Sequence, residues 1–204
     1  MNKNIEKTIK NLEKNNIHSI FIDNKEDVLN YLDRFIRDKD KVSVGGSITL
    51  FELGIIDYLR NRDIMFFDRY EEGLSSLALK EIFRNSFFSD VYLTSSNAIT
   101  EDGYLYNVDG RGNRCAAMIY GPDKVLVIVG VNKIVRNVEE AIKRVEKFSA
   151  PLNARRINKK TPCVKTGVCS HCDSKEKICR DYVLIKNSIP NRIFVLIVND
   201  NLGY

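Results

Sequence analysis

Apolar residues recur along this chain in two alternating rhythms. Ile5, Ile9 and Leu12 fall three or four positions apart, the spacing of one helix face, and Ile17-His18-Ser19-Ile20-Phe21-Ile22 follows as a strand ended by Asp23-Asn24. Val28, Leu29, Leu32, Phe35 and Ile36 return to helical spacing over Asp27–Arg37. Val42-Ser43-Val44 predicts a short buried strand that runs into Gly45-Gly46-Ser47, after which Ile48–Leu53 reads as helix. Ile64–Phe67 is the next strand, Leu74, Leu77, Leu79, Ile82 and Phe83 mark a helix, and Val91–Thr94 is again a strand. Strands and helices in alternation predict an α/β fold, a mostly parallel sheet with helices on both faces.

The second half changes character. Gly103–Val108 and Cys115–Tyr120 flank the turn-rich Asp109-Gly110-Arg111-Gly112-Asn113, a pattern that predicts a β-hairpin insertion. Val125–Val129 has the length of a buried strand, a helix is expected from about Val138 to Phe148, and Pro151–Lys160 reads as a polar, basic linker. Tyr182–Ile185 and Ile193–Val198 predict two last strands. The organisation expected is an α/β domain over residues 1–150, a basic cysteine-rich segment over 151–181, and strands over 182–204 that pack back on the domain.

At 204 residues, 44% hydrophobic and 29% charged, the chain is long enough for a substantial core. No stretch approaches the ~20 apolar residues of a membrane span, and no membrane partner is expected. The charged opening Met1–Lys7 resembles an amphipathic helix rather than an apolar signal segment, which predicts a cytoplasmic protein with reduced thiols. The net charge of +5 is concentrated between Arg155 and Arg180. With no aromatic residues interleaved, these cations read as a solvated loop that offsets a thiolate-bound centre, not as a nucleic-acid footprint.

That centre is the densest chemistry in the chain. Four of five cysteines lie in Cys163-x5-Cys169-x2-Cys172-x6-Cys179. In a reduced compartment, sulfurs so crowded chelate a metal or hold a cluster. Irregular spacing around one clean C-x2-C pair suits a 4Fe–4S cluster, with structural zinc and no metal as the alternatives. The other candidates concern an anion. Gly45-Gly46-Ser47-Ile48-Thr49 stands where a strand hands over to a helix, so it is either a tight turn or a cradle for phosphate or carboxylate. The polar loop Ser95–Gly103 follows another strand and contributes Asn97 and Thr100, while Asn113 and Arg114 close the expected hairpin. Arg114 is the candidate cation to orient a carboxylate or phosphate, against the reading that it merely bridges to Asp109 or Glu101. Cys115 reads as a buried structural thiol.

Gly45–Gly54, Asn97–Gly103, Gly110–Arg114 and Val127–Lys133 together resemble the LUD (lactate-utilisation) domain family, over a stretch running to about Ser149. The cysteine-rich tail and the closing Leu202-Gly203-Tyr204 resemble the ending of small clostridial-type members. The resemblance implies a fold similar to the NagB/RpiA/CoA-transferase type, and an association with bacterial oxidation of lactate to pyruvate alongside iron–sulfur oxidoreductase partners. Lys133 enters as a ligand-binding candidate through it. No residue carries over as the glutamate nucleophile of the CoA transferases; Glu101 is the nearest candidate, and as a solvent-facing loop carboxylate it reads rather as structural.

The function expected is a subunit or accessory factor of organic-acid oxidation, binding a small anion such as an organic acid, sugar phosphate or CoA ester, and able to form a homo-oligomer. The rivals are a stand-alone isomerase, hydrolase or transferase on a phosphorylated or acyl-CoA substrate, and a non-catalytic binding protein with structural zinc.

Overall fold

A computed structural model describes residues 2–204. Met1, part of the charged opening, lies outside the described residues. Helix α1 (Lys3–Lys14) starts where the Asn2 side chain accepts from the Asn4 N–H at 2.8 Å. Its face of Ile5 and Leu12 is buried.

The main sheet has six parallel strands: β1 (His18–Ile22), β2 (Lys41–Val44), β3 (Met65–Phe67), β4 (Val91–Thr94), β7 (Lys124–Gly130) and β10 (Ile193–Val198), in the order β1-β10-β7-β4-β2-β3. Alternate side chains of one strand feed two cores, because successive residues point to opposite faces. Leu126 and Ile128 join Leu93, Val42, Val44 and Leu196 on one face. There they meet α2 (Val28–Leu32), α3 (Ile48–Glu52) and α4 (Ile55–Arg60) through Val28, Leu32, Leu50, Ile55 and Leu59. Val125, Val127 and Val129 join Tyr92, Val195 and Ile197 on the other face, against Leu12 of α1 and Met118 of α6 (Asn113–Ile119). Helix α5 (Ser76–Asn85) begins where Ser75 caps Ala78 N–H at 3.1 Å, and precedes β4. The fold class is therefore α/β with a mostly parallel sheet and helices on both faces.

A second sheet orders β8 (Ile134–Val135), β5 (Ala98–Thr100), β6 (Leu105–Asp109) and β9 (Asp181–Ile185), with α7 (Val138–Arg144) against it. Strands β5 and β6 form the antiparallel hairpin, and β9 adds to β6 with Asp181 opposite Asp109. Among the described residues no helix is long and apolar enough to cross a membrane.

Three local expectations are corrected. Cys115–Tyr120 is not the return strand of a hairpin: it lies in α6, and β6 pairs with β5 and β9 instead. The cause is Asp109, whose carboxylate accepts the N–H groups of Arg114 and Cys115 at 3.0 Å each and so satisfies the first turn of a helix. Pro151–Lys160 is not a linker throughout. Helix α7 passes through a π-helical turn (Val145–Ser149) into α8 (Ala150–Arg156), and Pro151 sits at the start of α8. The helix expected over Asp27–Arg37 is shorter, a 3-10 turn (Lys25–Asp27) followed by α2.

Candidate functional site: a cationic cleft beside four cysteines

The segments leaving β2, β4, β7 and β10 converge on one cleft of about 570 Å³. They contribute Gly46-Ser47-Ile48-Thr49, Ser95-Ser96-Asn97, Lys133 and Gly203-Tyr204. This is the carboxyl end of the parallel strands, where open α/β sheets bind ligands. The facing wall comes from Asp109–Arg114, from α8 and from the tail between Lys175 and Arg180.

The turn after β2 is shaped by its neighbours. A Cβ on Gly45 would lie 2.6 Å from Thr94 Oγ1 and 2.8 Å from Tyr92 Oη, both side chains buried. On Gly46 it would lie 3.4 Å from Arg69 Nη1, an ordinary contact at the cleft edge. Gly45→Ala is therefore expected to cost about 1–3 kcal/mol of stability by overpacking. Gly46→Ala should melt with the wild type and weaken anion binding several-fold, because its methyl group would occupy the cleft edge where a ligand approaches the backbone. Thermal unfolding and calorimetry on both variants check this; a Gly46→Ala protein that melts early but binds normally makes the turn purely structural. Ser47 does not cap α3: its N–H donates to Tyr70 Oη at 3.3 Å, and its buried Oγ has no partner among the described residues.

Lys133 is 3% exposed, in the 3-10 turn after β7 (Val131–Lys133). Its Nζ donates to Thr49 Oγ1 and Ser95 Oγ, each at 3.0 Å, and no carboxylate reaches it among the described residues. Burial, with Arg144 and Arg114 nearby, pulls its pKa down to about 7. Arg144, which the sequence did not single out, also donates to the Asn97 and Asn132 carbonyls at 2.8 and 3.3 Å.

Arg114 begins α6, not a strand, and is committed inward. Nε meets Asp109 Oδ1 at 2.9 Å, Nη1 meets Ser95 O at 2.9 Å and Asn107 Oδ1 at 2.5 Å, and Nη2 meets Asn97 Oδ1 at 2.9 Å and Val108 O at 3.1 Å. The whole fork is occupied by protein acceptors. Arg114 thus ties the Ser95–Asn97 loop to β6, and Asp109 is its carboxylate partner. Asn97 and Asn113 line the cleft, and Asn97 Nδ2 has no acceptor among the described residues.

Thr100 and Glu101 do not join them. Strand β5 carries the chain away from the cleft by about 3.3 Å per residue. Thr100 Oγ1 accepts from Tyr104 N at 3.1 Å inside the hairpin. Glu101, only 8% exposed, pairs with Lys7 at 2.8 Å rather than facing solvent freely. Cys115 is buried, which pushes its thiol up to about 12 and makes it a poor nucleophile.

Lys and Arg outnumber Asp and Glu nine to two along the cleft, and Arg114 alone of those cations has a carboxylate partner among the described residues. The basic stretch between Arg155 and Arg180, which reads as solvated in sequence, supplies Arg156, Lys159, Lys175, Lys177 and Arg180 to this wall. Arg156 is steadied by Asn153 Oδ1 at 2.8 Å and Tyr204 Oη at 2.6 Å.

Cys163, Cys169, Cys172 and Cys179 line one small pocket with Ala150, Thr161 and Ile178. Cys163 lies in α9 (Pro162–Thr166), its Sγ 3.2 Å from Thr161 Oγ1, and Cys169 Sγ accepts the His171 N–H at 3.4 Å. Burial raises the Cys179 thiol, and Cys169 and Cys172 add to the shift. Four soft sulfurs are a donor set for a 4Fe–4S cluster or for zinc. No three Cys, His, Asp or Glu side chains among the described residues are already spaced to hold a single metal ion. Lys177 and Ile178 line both this pocket and the cleft.

Known proteins bear on this arrangement. A crystal structure of a DUF162 family protein from Deinococcus radiodurans matches with a TM-score of 0.57 at 14% identity, covering 96% of each chain, a likeness of fold. No curated protein matches. The sequence profile of the LUD domain matches residues 5–198, past the cysteines and into the last strand. The chain belongs to the LUD domain family.

Proposed function

We propose that this protein binds a small organic anion in the cleft, as a subunit or accessory factor of bacterial organic-acid (lactate-type) oxidation, and that its four clustered cysteines hold a 4Fe–4S cluster. Family membership supports the association with lactate utilisation. The observation that carries the anion is Lys133, a buried cation at a cleft floor with only hydroxyls for partners. Buried charges are normally paired, so an anionic ligand is the missing partner. The cleft volume is within the ~300–1,000 Å³ usual for small-molecule sites. Asn97 Nδ2 and Arg156, on the cleft wall, would fix the ligand's orientation.

For the cluster, the support is four thiols around one pocket with Lys177 on its wall, a cation suited to the negative charge of a thiolate-ligated centre. When bound, such a cluster supplies one-electron chemistry. The chain's own part is to ligate through Cys163, Cys169, Cys172 and Cys179 and to exclude water with Ala150 and Ile178.

Calorimetry with lactate, pyruvate, a sugar phosphate and a CoA ester tests the anion reading; binding of none of them overturns it. Anaerobic purification with iron, sulfide and zinc analysis tests the cluster. Each tail Cys→Ser variant is expected to lower metal content while Cys115→Ser leaves it unchanged. Zinc without iron selects the structural-zinc reading, and full metal content in all four tail variants overturns a centre altogether.

A further inference from the structure

We propose that Lys133 is an amine nucleophile that condenses with the carbonyl of a small oxo-anion, a 2-oxo acid or an aldehyde bearing a carboxylate or phosphate, to form an imine at the floor of the cleft. The proposal rests on the anion-binding reading above and gives that site a chemistry.

A lysine kept only as a counter-charge is normally held beside a carboxylate. Here Nζ is held by two hydroxyls instead, Thr49 Oγ1 and Ser95 Oγ at 3.0 Å. A hydroxyl both accepts and donates, so this pair accommodates an ammonium and a neutral amine alike and relays a proton between them. An amine attacks only when neutral, and desolvation or a neighbouring cation makes it so. Both are present. Lys133 is buried, and the charged groups that act on it are Arg114 of α6, Arg144 of α7 and, in the opposite sense, Glu52 of α3. Arg114 is held by Asp109, so its charge stays fixed near the amine.

Geometry also limits the substrate. The main chain at Gly203 passes so close that a Cβ there would lie 3.2 Å from Nζ and 2.6 Å from Thr49 Oγ1. The end that meets Nζ must therefore be small, a carbonyl with its anionic group close by, while the rest of the ligand extends toward Asn97 Nδ2 and the cationic rim.

The step balances without an oxidant. The nitrogen lone pair attacks the carbonyl carbon, the carbonyl π pair moves to oxygen, and a proton passes from nitrogen to that oxygen through Ser95 or Thr49. The carbinolamine then loses water as the C=N bond forms. Amine plus carbonyl gives imine plus water.

Reductive trapping tests it. The purified full chain is incubated with pyruvate, glyoxylate or glycolaldehyde phosphate, each with sodium cyanoborohydride, and mapped by peptide mass spectrometry. The expected result is one reduced adduct, on Lys133, formed faster than on any other lysine and faster still as pH rises from about 6 to 8 through its titration. Lys133→Arg should bind the anion by calorimetry yet give no adduct. Adducts spread over surface lysines, or binding in the wild type with no adduct at Lys133, overturn the imine and leave the anion site standing. Absence of both binding and adduct removes both readings. The wild-type peptide map decides the question even if a Lys133 variant fails to fold.

Discussion

Lys133→Met is expected to lower affinity for the bound anion by about 100-fold and, at acidic pH, to raise the stability of the ligand-free protein. The first effect follows because losing one partner of a buried charged contact costs ~2–5 kcal/mol, and each ~1.4 kcal/mol is tenfold in affinity. The second comes from linkage. The Lys133 pKa falls from 10.5 to about 7 on folding. Between those values the unfolded chain binds the extra proton, so this residue makes stability rise with pH across that window. Below about pH 7 the folded protein carries the full cost of a buried charge, on the order of several kcal/mol.

Methionine removes that cost but leaves the Thr49 and Ser95 hydroxyls without their partner, a loss of about 1–3 kcal/mol. The variant should therefore be more stable than wild type near about pH 6 and less stable near about pH 10, with the difference changing sign around about pH 9. Denaturant unfolding at several pH values reads this directly. A stability difference that is flat with pH, or an unchanged anion affinity, shows that Lys133 does not carry the site's charge.

Arg114→Ala is expected to cost about 3–5 kcal/mol of stability, because it strands the buried Asp109 carboxylate. It also removes the donor that Asn107 Oδ1, Asn97 Oδ1 and the Ser95 carbonyl accept from. In a domain of this size such a loss lowers the melting temperature by roughly 10 °C. Arg114→Lys should recover little, since one ammonium cannot reproduce a fork that bridges β6, α6 and the Ser95–Asn97 loop. The double variant Arg114→Ala/Asp109→Ala should be less destabilised than the two single changes together, by at least about 1 kcal/mol. An Arg114→Ala protein that melts with the wild type yet loses anion binding would instead make Arg114 a ligand contact.

The importance of Arg114 was visible from a guanidinium beside a glycine-rich turn, and Asp109 was visible as a rival partner. The choice between ligand and Asp109 depends on which acceptors surround the fork, and two of them, the Ser95 carbonyl and Asn97 Oδ1, lie on a loop distant in sequence. The helix that replaces the expected return strand at Cys115 has the same origin. An unbroken run of six apolar residues fits either period, and the decision went to the Asp109 carboxylate at the helix start. Thr100 and Glu101 were grouped with Asn97 because they are neighbours in sequence, yet an extended strand separates them in space.

By itself the sequence determined the strands of the parallel sheet, the family, and the presence of four crowded cysteines. The first and last are local properties: apolar periods of 2 and 3.6 and glycine turns are complete within about a dozen residues, and the four cysteines lie between positions 163 and 179. Only the tertiary structure decided that Lys133, Thr49 and Ser95 meet, and that part of the solvent-exposed basic stretch also lines the cleft. The reason is the parallel sheet. Its strands are distant in sequence but share one carboxyl end, so the segments leaving them are brought together by strand pairing, which no local pattern encodes.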